Sequence, residues 1–246
     1  MEILKFVAHS KKAIGIALKY GWHPAARYTN MRDVKTFKFN SIGFLDIDWK
    51  NYNFKRHVEI AAKLKPKLTI ARDVECIFHL DEIIKEAECL LNYSDHVAIV
   101  PKDPKLNGRL NELIPSEFLL AYSVPTKYGG TKVTVESFDR PVHLLGGRPD
   151  VQRRLADTLK VFSIDCNRFT FDAKFGDYFD GDTFRPHPDG GYENCLKASI
   201  KNINPRFPIW ISLKPLQAWT FFDCNHCGPP CLKQSDFSPL LLCLCC

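Results

Sequence analysis

From residue 41 to about 165 the chain repeats one pattern. A short run of apolar or β-branched residues is followed by a longer segment whose apolar positions recur every three or four residues. Each run has the length of a strand rather than a helix, and its near-continuous apolar character suits a strand buried on both faces. Parallel neighbours need a crossover connection, so strands alternating with amphipathic helices point to a parallel α/β sheet. Strands are expected over 42–47, 67–71, 96–100, 118–124, 142–145 and 161–164, and amphipathic helices over 54–64, 81–91, 149–159 and 192–203. Pro149 and Asp150 suit the first turn of their helix: proline gives up an amide with no intrahelical partner, and a carboxylate complements the positive end of the dipole. A strand over 6–9 with a helix over 13–20 adds a seventh unit, and any eighth must come from the stretch after Asp165. At 246 residues the chain has the length of a TIM-type (β/α) barrel, typically about 250. With seven units in view, closure is inferred rather than counted, and an abbreviated or irregular barrel stays open as an alternative to a full one.

The barrel domain is expected over 1–204. Residues 166–191 hold Phe169, Phe171, Phe175, Phe179 and Phe184, too aromatic for a solvated linker, and read as an ordered wall of the site. After residue 204 prolines interrupt every periodicity, and six of the ten cysteines crowd into an irregular tail over 205–246. Cys224, Cys227 and Cys231, with His226, have the form of a partial zinc site. A structural zinc ion is not expected, because the remaining cysteines supply no regular frame. No cofactor is required for the chemistry read below. The body carries Cys76, Cys89, Cys166 and Cys195, read as reduced thiols. No apolar run reaches the length of a membrane span, and the first residues lack a secretory pattern, so a cytoplasmic protein with no membrane partner is expected. The net charge of +6 favours an anionic partner without requiring one.

Barrels of this class present reactive groups where the strands end, because the following loops converge on one mouth. The expected strand ends read Asp46-Ile47-Asp48, Arg72-Asp73-Val74-Glu75, Pro101-Lys102-Asp103, Pro125-Thr126-Lys127, Gly146-Gly147-Arg148 and Asp165-Cys166-Asn167. Carboxylates gathered at one mouth repel and shift one another's pKa, a cost that folding alone does not explain. Asp103, followed by proline, is expected to be a cap, and one of Asp46 and Asp48 is expected to face the mouth. Gly146-Gly147 lets a ring or a phosphate approach the backbone, and Arg148 is suited to fork a phosphate; a tight turn before the helix explains the same residues equally well. No His-x-x-x-His pair occurs, so the histidines, His143 among them, are read as core or surface residues.

The segment Val142-His-Leu-Leu-Gly-Gly-Arg-Pro-Asp-Val-Gln-Arg-Arg-Leu-Ala-Asp, followed by Val161-Phe-Ser-Ile-Asp165-Cys166, resembles the part of tRNA-guanine transglycosylases that ends in the nucleophilic aspartate. Leu68-Thr-Ile-Ala-Arg-Asp73 resembles the strand whose aspartate reads the purine edge, and Phe44-Leu-Asp46 stands where that family has a second catalytic aspartate. The resemblance spans residues 40 to 200 and is nearest to the DNA-modifying branch, the 7-deazaguanine DNA transglycosylases. The chain departs from the family at Pro101-Lys102-Asp103, where Gln-Gly-Gly is usual, and has no counterpart of its zinc site. The resemblance implies Asp165 as nucleophile and Asp46 as acid/base. Asp73 would accept from guanine N–H donors, with Asp48, Lys102, Gly146, Gly147, Arg148 and Asn167 as further substrate contacts. The chemistry suits these residue types: a carboxylate attacks the anomeric carbon and a second acid/base group manages the purine's protons.

The implied partners are DNA, with tRNA as the alternative, and a 7-deazaguanine base such as 7-cyano-7-deazaguanine; a helper protein is admitted as a further partner. The target base must be flipped or single stranded, and Phe169, Phe171, Tyr128, Arg148, Arg168 and Lys127 are candidates to hold the strand. Two other readings stay open: a phosphate-binding barrel enzyme acting on a small metabolite, and a non-catalytic nucleic-acid module.

Overall fold

The computed structural model describes residues 3–203 apart from 9, 38–40 and 128. The tail over 205–246 with Cys224, Cys227 and Cys231 lies outside the described residues, as does Tyr128. The elements run β1 (Leu4–Val7), α1 (Lys11–Leu18), β2 (His23–Arg27), β3 (Phe44–Asp46), α2 (Phe54–Leu64), β4 (Leu68–Ile70), α3 (Leu80–Leu91), β5 (His96–Ile99), α4 (Leu110–Leu113) and β6 (Leu119–Ser123). They continue through β7 (Val142–Leu145), α5 (Pro149–Ala156), β8 (Val161–Asp165), α6 (Arg168–Asp172), β9 (Asp177–Phe179), β10 (Phe184–Pro186) and α7 (Tyr192–Ile203). Strands β1 to β8 pair in sequence order, all parallel, and β8 returns to β1, so the barrel is closed with eight strands and not abbreviated.

The eighth strand is not where the sequence pattern suggests. It is β2, His23-Pro-Ala-Ala-Arg27, which pairs with β1 and β3. The stretch after Asp165 contributes only the separate antiparallel pair β9–β10. His-Pro-Ala-Ala-Arg has no β-branched residue and contains a proline, so propensity alone cannot identify it. What admits it is a glycine on the neighbouring strand's approach: β2 runs so close to Gly43 that a Cβ there would lie 2.3 Å from the Cβ of His23.

The helices follow local chemistry. Asn53 caps α2, its side chain accepting from the Arg56 N–H at 2.9 Å, and the helix ends on Lys65 in the left-handed region. Helix α3 carries Asp81 and Glu82 in its first turn and buries Leu80, Ile83, Ala87 and Leu90 against the barrel. The excursion after β8 is ordered, as its aromatic content implies. Phe179 donates its N–H to Ser199 Oγ at 2.9 Å, and Asn202 Nδ2 donates to the Phe179 carbonyl, fastening β9 to α7. Phe169 is fully buried and meets Trp22 edge to face at 5.7 Å. It is a core residue, which corrects its reading as a strand contact, whereas Phe171 is half exposed. Among the described residues no helix is long and apolar enough to cross a membrane.

Candidate active site

The carboxyl ends of β3, β4, β5, β7 and β8 open on one mouth, and each carries a residue expected from the sequence. Asp165 ends β8. Its side chain is nearly buried and its Oδ1 accepts from the Gly146 N–H at 2.6 Å. That bond requires the turn after β7, where Gly146 and Gly147 adopt φ of +66° and +91°. A Cβ on Gly147 would come within 2.5 Å of Val124 Cγ1, so the turn is closed to other residues on two counts. Gln152, fully buried on α5, donates its Nε2 to the carbonyls of Gly146 and Asp165, both at 2.7 Å, and so locks the two strand ends together.

Asp46 ends β3. Its Oδ1 accepts from the Ile47 N–H at 2.8 Å and its Oδ2 lies 3.8 Å from Arg27 Nε. Desolvation in the mouth, reinforced by the negative field of Asp165, raises its pKa to about 7; Arg27 opposes the rise without cancelling it, and Asp73 adds a smaller push. Near neutrality Asp46 is therefore both a proton donor and a proton acceptor. Asp46 and Asp165 line one cavity with Arg27, Asn30, Asp33, Phe44 and Asn167. The cavity has a volume of about 100 Å³, smaller than the about 300–1,000 Å³ usual for small-molecule sites, so it encloses only part of a nucleoside and the rest lies in the open mouth. Asn167 joins the exits of β1 and β8, its Oδ1 accepting from the Ala8 N–H at 2.7 Å.

Asp73 and Lys102 form a second group at the same mouth. A bridge between Val74 and Pro101 prolongs the β4–β5 pairing past the strands. It sets Lys102 Nζ 2.6 Å from Asp73 Oδ2 and 3.0 Å from Glu75 Oε1. Burial raises the Asp73 pKa, and Lys102 partly offsets the rise. Burial would lower the Lys102 pKa, but the two carboxylates hold it above its ordinary value. A ligand read by Asp73 must share that carboxylate with Lys102.

Two expected contacts are placed differently. Strand β3 ends at Asp46, so Asp48 falls in the following turn, where its carbonyl accepts from Asn51, and it does not line the cavity. Arg148 has its Nε on Asp150 Oδ1 at 2.9 Å and its guanidinium 5.2 Å from the Phe184 ring centre, so one edge of its fork is engaged. Asp103 caps a short turn, accepting from the Lys105 and Ile77 N–H groups, as its Pro104 neighbour implies. Cys166, beside the candidate nucleophile, is fully buried, and burial pushes its thiol up to about 12, which leaves no thiolate to compete with Asp165.

Three residues near the carboxylates escape sequence reasoning. Arg27 lies on the strand that propensity does not reveal. Gln152 is one polar residue on an amphipathic helix. His143 is fully buried inside the barrel beside Asp165. Among the described residues no group of three or more His, Cys, Asp or Glu is placed to hold a metal ion.

Fold and site together define an eight-stranded parallel α/β barrel of the TIM type with a paired-carboxylate cavity at the carboxyl ends of its strands. Over residues 17–208 the chain matches the family described as "Family of unknown function (DUF6610)", and it belongs to that family. The match runs from the end of α1 through α7 and takes in every carboxylate of the mouth. No curated protein matches the chain.

Proposed function

We propose that the protein is a transglycosylase that exchanges guanine for a 7-deazaguanine base in nucleic acid, with DNA favoured over tRNA. The observation that carries this reading is the cavity shared by Asp165 and Asp46, one held as an acceptor by a backbone N–H and the other holding a proton near neutrality. In the first half-reaction a carboxylate oxygen of Asp165 bonds to C1′ as the bond from C1′ to the base breaks. The electron pair leaves with guanine, which takes the proton of Asp46. In the second, the ring nitrogen of the incoming base bonds to C1′, its proton passes to Asp46, and the Asp165 carboxylate is released. Asp73 supplies an acceptor for guanine-like N–H donors, oriented by Lys102.

A phosphate-binding barrel is less well supported. Its anion site would need the Gly146 N–H and the Arg148 fork, and these already serve Asp165 and Asp150. The test incubates the protein with DNA and labelled 7-cyano-7-deazaguanine. Label enters the polymer with the native chain and not with Asp165→Asn. Labelling unaffected by that substitution, or saturable sugar-phosphate binding without any purine binding, overturns the proposal.

A further inference from the structure

Behind Asp165 lies a buried polar chain that the half-reactions above do not use. His143 on β7 and Ser163 on β8 are both fully buried, and His143 Nδ1 is 2.9 Å from Ser163 Oγ. The other ring nitrogen, Nε2, lies 3.5 Å from Asp165 Oδ1 and, among the described residues, has no hydrogen-bond partner of ordinary geometry. The ring is wedged between Phe44 at 4.9 Å and Phe6 at 5.9 Å, so it cannot swing away.

The placement comes from an irregularity in the ladder. Val142 pairs with Val161, but the next residue, His143, pairs with Ser163, so Phe162 is an extra residue on β8. Such a bulge re-aims the side chains beside it. Here it brings Ser163 opposite His143, with Asp165 two residues further along the same face.

We propose that His143 is a positioning residue for Asp165: Ser163 donates its O–H to Nδ1, which fixes the proton on Nε2, facing the carboxylate. The opposite arrangement would aim a nitrogen lone pair at a carboxylate in a dry interior, with no compensating donor. The Gly146 N–H and the His143 Nε2–H both address Oδ1. Oδ2 is then the oxygen that bonds to C1′, held in line by its engaged twin. The proton on Nε2 is not transferred; it stabilises the carboxylate charge, which is absent from the glycosyl-enzyme and returns when that ester breaks. The second half-reaction, in which Asp165 is the leaving group, therefore depends on His143 more than the first.

This inference rests on the transglycosylase reading for its kinetic part alone. The ring-nitrogen assignment needs no substrate: in the ¹⁵N-labelled full-length protein near neutral pH, the His143 Nε2 is expected to carry a proton, and a bare Nε2 overturns the proposal. The kinetic test compares His143→Leu, His143→Gln and Ser163→Ala by single-turnover trapping of the adduct on Asp165. His143→Leu should slow release of the adduct to incoming base by about three- to tenfold, the scale of a weak polar contact rather than of a full hydrogen bond to a charge, while adduct formation changes less. His143→Gln, which restores an N–H in place of Nε2, should recover most of that loss, and Ser163→Ala should lie between. Equal slowing of both half-reactions, or no rescue by glutamine, reduces His143 to a packing residue and overturns the proposal. If the native chain forms no adduct while Nε2 carries its proton, the transglycosylase reading has failed, and the kinetic role of His143 falls with it.

Discussion

Replacing Asp46 by asparagine should make the folded protein more stable at pH 8, although it removes a group assigned to the chemistry. The Asp46 carboxyl titrates near 7 in the folded chain against an ordinary 3.8, through desolvation first and the field of Asp165 second. A raised folded-state pKa contributes stability that is fully present below pH 3.8 and is lost as the pH rises through about 7. At about 1.36 kcal/mol per tenfold change in proton affinity, the gap sets a ceiling of about 4 kcal/mol. One third of the side chain is exposed, so solvent screening leaves about 1–2 kcal/mol at pH 8. Asparagine cannot ionise, and its Oδ1 still accepts from the Ile47 N–H, so the substitution relieves repulsion with little change of shape. The assay is urea denaturation of both proteins from pH 4 to pH 8, with the stability difference plotted against pH. The variant should gain about 1–2 kcal/mol at pH 8 and converge on the parent near pH 4. A difference independent of pH, or a variant less stable at pH 8, would refute the argument that Asp46 is held uncharged by Asp165 and its surroundings.

Further expectations follow from other parts of the barrel. Gly147→Ala places a Cβ against Val124 at a backbone angle that disfavours side chains; thermal or chemical denaturation should show a loss of about 1–3 kcal/mol, and an unchanged midpoint would contradict the close approach. His57 is fully buried and its pKa is lowered by desolvation to about 4. The unfolded chain takes up a proton below pH 6.5 that the folded chain refuses, so about 3 kcal/mol of stability should drain away between pH 6.5 and pH 4, and His57→Gln should flatten that slope. Lys102→Met removes the cation that opposes the burial-raised pKa of Asp73; purine binding at neutral pH should weaken and recover as the pH rises, whereas a pH-independent loss would assign Lys102 to direct substrate contact.

The barrel was legible in the sequence where burial on both faces makes strands read as apolar runs, as at 142–145, where apolar periodicity marks helices, as at 54–64, and where end chemistry does, as at Pro149 and Asp150. It was not legible at β2, because His23-Pro-Ala-Ala-Arg27 has a proline and no β-branched residue, and the room that Gly43 leaves beside it carries no local signal. That one omission concealed Arg27 and most of the cavity's β2 side. Asp46, Asp73 and Asp165 could be identified because a carboxylate at the end of a buried strand is conspicuous. Asp48 could not be separated from Asp46 without knowing where β3 stops. His143 and Gln152 owe their places to a cross-strand register and a helix orientation, neither of which is written in local composition. Phe169 shows the converse: its neighbours made it look like a surface contact, yet it is buried against Trp22, a residue far away in sequence.

The central claim is that Asp165 bonds covalently to a sugar carbon. The direct measurement is peptide mass spectrometry after the protein is mixed with a guanine-containing single-stranded oligonucleotide and quenched without incoming base. The peptide containing Asp165 should gain the mass of the oligonucleotide less its guanine, or of a baseless deoxyribose phosphate once nuclease has trimmed the strand, and Asp165→Asn should show no such gain. An unmodified Asp165 peptide alongside demonstrable base exchange, or an adduct on a different side chain, would contradict it.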